Sequence, residues 1–329
     1  MRRWFFMSTR PMVGLALGGG AIRGMAHIGV LKVLKKAGIP IDMVAGTSSG
    51  SIVAAMYASG YSPEHIEEIA MELRSQNIFE HGTMLLNLLL IAGDIIFRIL
   101  HLPYPVRSPM GLMQGNKLKA LLHKFLGQNR LFGQTEIPLG ITAVDARDGT
   151  LVVFVEGDPV ANPVQPLIVE SPNSAAGSIS VDVRTVVPPE DVFIKGQPVA
   201  LAARASSAVP GIFEPIRVND RLLVDGGVRE NVPAYILRCM GADFVIAVDV
   251  GYSGRRVDGI SNIIKLLANS FEIVISEGIN LKLERYANVV IRPLINADPW
   301  DIKHTRYFIK QGELAALKSL DEIKRKLYN

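Results

Sequence analysis

Three short motifs in this 329-residue sequence contain residues that could together perform hydrolysis. Ser48 is the centre of Gly46-Thr47-Ser48-Ser49-Gly50, a glycine turn precedes it at Gly18–Ala21, and Asp225-Gly226-Gly227 lies far downstream. A serine hydroxyl attacks an ester carbonyl when a base removes its proton, and backbone N–H groups in a glycine turn can stabilise the resulting oxyanion. The motifs therefore indicate a nucleophile at Ser48, a carboxylate base at Asp225 and an oxyanion site in the glycine turn.

Each motif directly follows an apolar stretch that predicts a strand. These stretches are Val13–Leu17, Ile41–Ala45 and Arg221–Val224, and helices are predicted after the first two, over Arg23–Ala37 and Ser49–Ser59. Strand–helix–strand–helix order with short turns predicts an α/β fold of three layers, with a mostly parallel central sheet between helices. Because loops at the carboxyl ends of parallel strands share one crevice, we expect the three motifs to converge there.

The same alternation continues to the C-terminus and predicts a single domain over residues 12–329, after a tail at residues 1–11. A proline-rich stretch, Asp158–Ala200, interrupts it and is interpreted as an inserted loop or hairpin that could cover the site. The other predicted strands are Pro138–Val144, Leu151–Val155, Phe244–Val248 and Val289–Arg292, and the other predicted helices are one opening at Ser62, Asn116–Leu126, Pro233–Met240, one within Ile260–Leu283 and one around Tyr307–Leu327.

The most apolar stretch of the sequence is Met84–Leu102. Its polar members Asn87, Asp94, Arg98 and His101 are spaced by seven, four and three residues, which on a helix places them on one narrow stripe. Three interpretations stay open: a buried core helix, an interfacial or lid helix, and a transmembrane helix. The charged residues in the inner half of the stretch argue against the last of these.

Composition and charge exclude several classes of protein. Apolar residues make up 49% and charged residues 20%, as in a globular protein, and the net charge of +4 is compatible with contact to an anionic membrane. Since no dense Lys/Arg stripe with interleaved aromatic residues is present, nucleic acid is not expected as a partner. The single cysteine, Cys239, excludes an internal disulfide and the common cysteine-based zinc sites.

The N-terminal sequence bears on location. Arg2 and Arg3 resemble the start of a signal peptide, but the apolar run after them is too short, and secretion is not expected. Together with Trp4–Phe6 these arginines could rest on a bilayer or form a loose tail. We expect a cytoplasmic protein that contacts the inner face of the membrane peripherally.

Each motif also has another interpretation. Gly18-Gly19-Gly20 before a helix is compatible with a dinucleotide-binding turn, but the second strand ends in Val44-Ala45 where that fold needs an acid. A Ser–His–Asp triad of the order serine, acid, histidine would use His304, the histidine that follows Asp225. A catalytically silent lipid-binding or scaffold protein is the third alternative, because a fold does not guarantee an activity.

In combination, these motifs resemble those of the patatin-like phospholipase family. The resemblance rests on Gly18–Leu31, Gly46–Gly50, Ile141–Asp145, Ala205–Phe213, Asp225–Gly227, Asn231–Pro233 and Gly241–Asp249. It covers roughly residues 12–325 apart from Phe79–Pro109 and the proline-rich insert. The C-terminal part is similar to the bacterial and neuropathy-target-esterase branch of the family. Ala21 departs from the family pattern, which often has a fourth glycine at this position.

The resemblance implies a lipid acyl hydrolase with a Ser48–Asp225 dyad, an acyl-enzyme intermediate and phospholipid or lysophospholipid as substrate. It implies no metal ion and no organic cofactor, and it leaves the head group, chain length and oligomeric state open. The implied oxyanion-hole donors are the backbone N–H groups of Gly19, Gly20 and Ala21. The supporting motif residues are Gly18, Arg23, Gly24, Gly46, Gly50, Gly226 and Gly227.

Overall fold

A nine-stranded, mostly parallel sheet runs through the centre of the computed structural model. The structure describes residues 10–73, 81–157, 159, 191–251, 263–297 and 302–329. The strands are β1 (Val13–Leu17), β2 (Met43–Gly46), β3 (Gly111–Met113), β4 (Leu139–Asp145), β5 (Leu151–Val155), β6 (Val192–Ile194), β7 (Gly211–Phe213), β8 (Ile216–Val218), β9 (Arg221–Asp225), β10 (Phe244–Val248) and β11 (Val289–Ile291). The main path through the sheet is β11-β10-β1-β2-β4-β5-β6, while β3 pairs with β7 outside it.

Helices flank this sheet on both sides. They are α1 (Ala26–Lys36), α2 (Ser49–Ala58), α3 (Pro63–Leu73), α4 (His81–Ile99), α5 (Asn116–Leu126), α6 (Val199–Ser206), α7 (Ala234–Cys239), α8 (Ile263–Tyr286) and α9 (Thr305–Tyr328). Short 3₁₀ turns occupy Ala21–Met25, Gly226–Val228 and Ile302–His304.

The strands of the sheet bury side chains on both faces, which accounts for their continuous apolar runs. In β1, Leu15 belongs to a core with α1, α2, α3, α5, α6 and α9, whereas its neighbour Ala16 belongs to a second core with α7 and α8. Two cores on opposite faces of one sheet make a three-layer α/β/α arrangement. The predicted fold class is therefore confirmed.

Several elements have the predicted bounds, and others differ. Strands β1, β5 and β10 and helix α5 begin and end where the sequence pattern places them. The helix predicted from Arg23 instead begins as a 3₁₀ turn and becomes α-helical at Ala26. The predicted insert at 158–200 is too long, because β6 extends the main sheet by pairing with β5 and α6 lies in the core. Its residues 158 and 160–190, and residues 1–9 of the predicted tail, lie outside the described residues.

Strand β9, which ends at Asp225, does not run parallel to its neighbour as the sequence analysis assumed. It pairs antiparallel with the far end of β4, so that Asp225 lies opposite Ala143, while β2 pairs with the nearer part of the same edge up to Ile141. Strand β4 extends past β2, and β9 descends along that extension towards the carboxyl edge of the sheet. Asp225 therefore reaches the loop that follows Gly46 from the opposite direction.

Helix α4 does not form part of the core, so the core-helix interpretation of Met84–Leu102 is wrong. Most of its large apolar side chains are exposed, and neither of the two cores contains any of its residues. It contacts β3 through the Asn87 side chain, which donates to Gly111 O and Leu112 O. Among the described residues, no helix is long and apolar enough to cross a membrane.

Candidate active site

Ser48 lies at a sharp turn between β2 and α2. Its backbone has φ 52° and ψ −126°, a conformation that is strained for a residue with a side chain. The turn needs both flanking glycines, since a Cβ on Gly46 would lie 2.5 Å from Gly50 O and one on Gly50 would collide with Leu17 O. Such a strained turn is typical of a serine nucleophile held at the tip of a strand-to-helix corner.

The backbone of Ser48 is held by two neighbouring hydroxyl groups. Its N–H donates to Ser206 Oγ over 2.8 Å, and its carbonyl accepts from Ser51 Oγ over 2.6 Å. Ser206 is fully buried at the end of α6. Ser206 lies in the family-like stretch Ala205–Phe213, but the sequence pattern assigns it no role, because a hydroxyl in a small-residue helix has no signal of its own.

Asp225 meets Ser48 at the point where β9 ends. Both side chains line the same pocket, and Gly227 N–H donates to Asp225 Oδ1 over 2.8 Å. Burial raises the pKa of Asp225 to about 6, while the hydrogen bonds from Ser48 and Gly227 counteract that rise. At neutral pH the group is thus a carboxylate with an affinity for protons well above that of an ordinary aspartate.

The glycine turn lies against the same site, but one of its expected donors is occupied. Gly19 N–H donates to Asn231 O over 3.0 Å, and Asn231 Nδ2 donates back to Gly19 O over 3.4 Å. The backbone N–H groups of Gly20 and Ala21 have no such acceptor in the part of the chain that the structure describes. The implied donor set of Gly19, Gly20 and Ala21 is therefore reduced to the last two in this structure.

Ala21, which stands where the family often has a fourth glycine, has a backbone conformation that favours glycine. Its φ of 52° lies in the left-handed region, which glycine adopts without steric cost and alanine adopts at some cost. Alanine is tolerated here and keeps its backbone N–H. The remaining supporting glycines pack tightly: a Cβ on Gly24 would collide with Ser49, one on Gly18 would lie 2.9 Å from Val232, and one on Gly226 would lie 2.6 Å from Thr142 O.

The buried side chain of His27 in α1 contacts the backbone of the glycine turn. Its Nε2 lies 2.7 Å from Gly18 O and donates to it, because a carbonyl can only accept. Complete burial lowers the pKa of His27 to about 4, so the ring is neutral at physiological pH. This agrees with the interpretation of His27 as a packed helix histidine and assigns it a contact with the turn.

Helix α8 and the Val209-Pro210 turn form the rest of the pocket around Ser48. Ile275 and Ile279 of α8 line it, and Glu272 forms a 2.7 Å ion pair with Arg23 at its edge. Arg23, a supporting residue of the glycine-rich motif, thus already has an acidic partner from a distant part of the chain. No pattern in the sequence indicates this wall, since α8 lies more than 200 residues from the serine motif.

His304 is not brought to the site. It is exposed in the 3₁₀ turn before α9, beside the rings of Tyr307 and Phe308, and it is not part of the lining of the Ser48 pocket. The structure therefore gives no support to a triad that uses His304. Within the described ranges, no cluster of His, Cys, Asp and Glu side chains is arranged to hold a metal ion.

The sequence matches a known protein family over most of this architecture. The family model described as patatin-like phospholipase matches residues 15–238, which include the glycine turn, Ser48 and Asp225. The chain belongs to this family. The expected family membership is thereby confirmed.

Similar patatin-like proteins indicate the branch. The lysophospholipase NTE1 of Meyerozyma guilliermondii is 30% identical over 74% of this chain and 13% of its own length. The human patatin-like phospholipase domain-containing protein 6 is 28% identical over 74% of this chain and 14% of its own length. An uncharacterized NTE family protein of Mycobacterium bovis is 28% identical over 75% of this chain and 51% of its own length. The similarity confirms the predicted branch, and the chain spans between 13% and 51% of these relatives.

Solved structures similar to this chain include VipD from Legionella pneumophila, with a TM-score of 0.44 and 13% identity over 96% of this chain and 67% of that one. The ExoU–SpcU complex of Pseudomonas aeruginosa gives a TM-score of 0.40 and 15% identity over 96% of this chain and 52% of the matched chain.

Proposed function

We propose that this protein hydrolyses the carboxylic ester bonds of lipids, with Ser48 as nucleophile and Asp225 as base. One observation carries the proposal: Ser48, in its strained strand-to-helix turn, shares a pocket with Asp225, a buried carboxylate whose pKa is raised to about 6. A carboxylate of this kind accepts a proton more readily than an exposed one, and it lines the same pocket as the hydroxyl it must activate.

The reaction proceeds in two halves. Asp225 takes the Ser48 proton as Oγ attacks the ester carbonyl, and the N–H groups of Gly20 and Ala21 stabilise the oxyanion. Collapse of the intermediate breaks the ester C–O bond, and Asp225 gives its proton to the departing alcohol, leaving an acyl group on Ser48. Asp225 then removes a proton from water, which attacks the acyl carbonyl. The released Ser48 oxygen recovers that proton as the fatty acid leaves.

The proposed substrate is a phospholipid or lysophospholipid that the protein meets at the cytoplasmic face of an anionic membrane. The apolar walls provided by Val209, Ile275 and Ile279 suit an acyl chain. One relative is named a lysophospholipase and the family a phospholipase family. The proposed mechanism requires neither a metal ion nor an organic cofactor.

The first test is release of fatty acid from p-nitrophenyl esters of short and long chain and from a panel of phospholipids. We expect turnover in the wild type, and none in Ser48→Ala or Asp225→Asn. The variant His304→Ala is the matched control and should keep most of the wild-type rate, because His304 lies outside the pocket of Ser48. A triad enzyme that used His304 would instead lose several orders of magnitude in rate. Absence of turnover on every ester, with no labelling of Ser48 by a fluorophosphonate, would instead favour a lipid-binding protein without catalysis.

A further inference from the structure

Helix α4 has its polar and apolar faces reversed relative to an ordinary surface helix. Asn87 is 7% exposed and binds the backbone of β3, and the Asp94 side chain is 15% exposed. In contrast, Leu85 and Leu89 are both 63% exposed and Ile99 is 70% exposed. A helix that rests on a protein in water turns its apolar face inward. This helix turns much of its apolar surface outward.

The exposed apolar side chains continue beyond the end of the helix and form one outer strip along residues 85–110. We define this apolar strip by its members Leu85, Leu86, Leu88, Leu89, Ile95, Ile96, Ile99, Leu100, Leu102, Val106 and Met110, all of them exposed. Single exposed apolar residues are normal on a protein surface, but eleven within one stretch of 26 residues indicate a surface that contacts something apolar.

The charges in this part of the sequence are almost all positive. Residues 81–126 contain five basic side chains and one acid, Asp94, which gives this segment a charge of +4, equal to that of the whole chain. All five bases are exposed: Arg98 and Arg107 lie within the stretch 85–110, and Lys117, Lys119 and Lys124 follow it in α5. An exposed apolar strip in a basic segment matches the two parts of an anionic bilayer, its acyl chains and its phosphate groups.

The apolar strip is connected to the active site through a short sheet. Strand β3, which holds Asn87, pairs with β7 so that Gly111 lies opposite Gly211. Pro210, the residue immediately before β7, lines the pocket of Ser48. Helix α4 is therefore connected to the wall of the Ser48 pocket through the paired strands β3 and β7.

We propose that α4 and the segment up to Met110 dock the protein onto an anionic phospholipid bilayer. The apolar strip enters the boundary between head groups and acyl chains, and the bases contact lipid phosphates. Asn87 and Asp94 face the protein, so the helix lies along the bilayer surface. This docking extends the proposed function. The docking itself is independent of catalysis, and only its expected effect on lipid hydrolysis rests on the proposed function.

The test separates docking from catalysis. Wild type, Leu89→Asp/Ile96→Asp and Leu314→Asp/Leu317→Asp are floated with vesicles of phosphatidylglycerol and phosphatidylcholine in equal parts, and with vesicles of phosphatidylcholine alone. The second double variant is the matched control, because Leu314 and Leu317 of α9 are also exposed and it adds the same charge. We expect wild type and control to float with the anionic vesicles, and the α4 variant to bind at least about tenfold more weakly.

Hydrolysis then provides a second readout. The α4 variant should cleave a soluble short-chain ester at the wild-type rate and lose most of its rate on vesicle phospholipid. Ser48→Ala should float like the wild type, so failure of the proposed catalysis leaves the docking result intact.

Three results would overturn the docking proposal. The first is wild-type protein that stays wholly in the soluble fraction with anionic vesicles, and the second is an α4 variant that floats as well as the wild type. The third is a wild-type dimer in gel filtration that the α4 variant converts to a monomer without any change in flotation. That result would assign the apolar strip to a second copy of this chain.

Discussion

At the scale of single residues, the chemistry depends on the competing influences on Asp225. Burial favours its neutral form, and hydrogen bonds from Ser48 and Gly227 favour its charged form. The balance leaves the pKa of Asp225 at about 6, low enough for a base at neutral pH and high enough for the carboxyl to hold the Ser48 proton transiently.

The pH dependence of activity follows from this balance. Only the deprotonated form of Asp225 can accept the Ser48 proton, so kcat/KM on a soluble ester should rise through about pH 6 and level off above pH 7. Measurement of kcat/KM between pH 4 and pH 8 checks this, with fluorophosphonate labelling of Ser48 as an independent readout of the same ionisation. A profile that stays flat down to about pH 5 and falls only near pH 4 would show that Asp225 keeps an ordinary aspartate pKa.

Ser206 is predicted to position the nucleophile. In Ser206→Ala the buried N–H of Ser48 loses its acceptor, at a cost of about 1–3 kcal/mol in stability. The strained turn should also shift, lowering kcat by roughly 10- to 100-fold with little change in KM. Ser207→Ala is the matched control, because the neighbouring Ser207 hydroxyl is also buried but donates to Ala203 O instead. Equal kcat values for the two variants would contradict a positioning role.

At the scale of elements, two glycines set how closely the first and last helices pack. Helices α1 and α9 cross so tightly that a Cβ on Gly29 would collide with Ile309 O and one on Gly312 would collide with Ala26 O. Both obstacles are backbone atoms, which cannot rotate away as a side chain can. The crossing brings α9 against the helix that carries His27, and thus supports the glycine turn indirectly.

Replacing either glycine should therefore be costly. We expect Gly29→Ala and Gly312→Ala each to lower the free energy of unfolding by about 3 kcal/mol or more, since the helices must separate. Gly278→Ala in α8 is the control: a Cβ there meets nothing within 4 Å, and alanine should stabilise the helix by up to about 1 kcal/mol. Urea denaturation of the three variants measures the difference, and a small loss in both crossing variants would contradict the close packing.

The sequence predicts those elements that the periodicity of apolar residues and the positions of glycines determine locally. It identifies β1, α2 and the turn between β2 and α2 because apolar runs and glycines determine them locally. It does not report strand direction, so the antiparallel approach of β9 was missed although Asp225 itself was identified. In α4 the spacing correctly places Asn87 and Asp94 on one stripe, but it cannot tell whether that stripe faces water or the protein.

At the scale of the whole molecule, stability is concentrated in the two cores on either side of the sheet. One core links the first helix of the chain to the last, and the other links α7 and α8 to the back of the same strands. Because both cores share β1, β4 and β10, we expect the two cores to unfold as one cooperative unit. None of residues 81–110 belongs to either core, so α4 lacks that stabilisation.

Hydrogen exchange should reveal this division directly. Amides of β1, β2 and β10 should exchange with the free energy of global unfolding, whereas those of α4 should open at a small fraction of it, because their apolar side chains face outward. Exchange followed by mass spectrometry on intact protein measures both sets at once. Addition of anionic vesicles should then slow exchange in α4 and leave the core strands unchanged, since a docked helix gains the apolar contacts that the protein does not supply. Protection of α4 equal to that of β1 before any lipid is added would show that α4 is held by the fold itself.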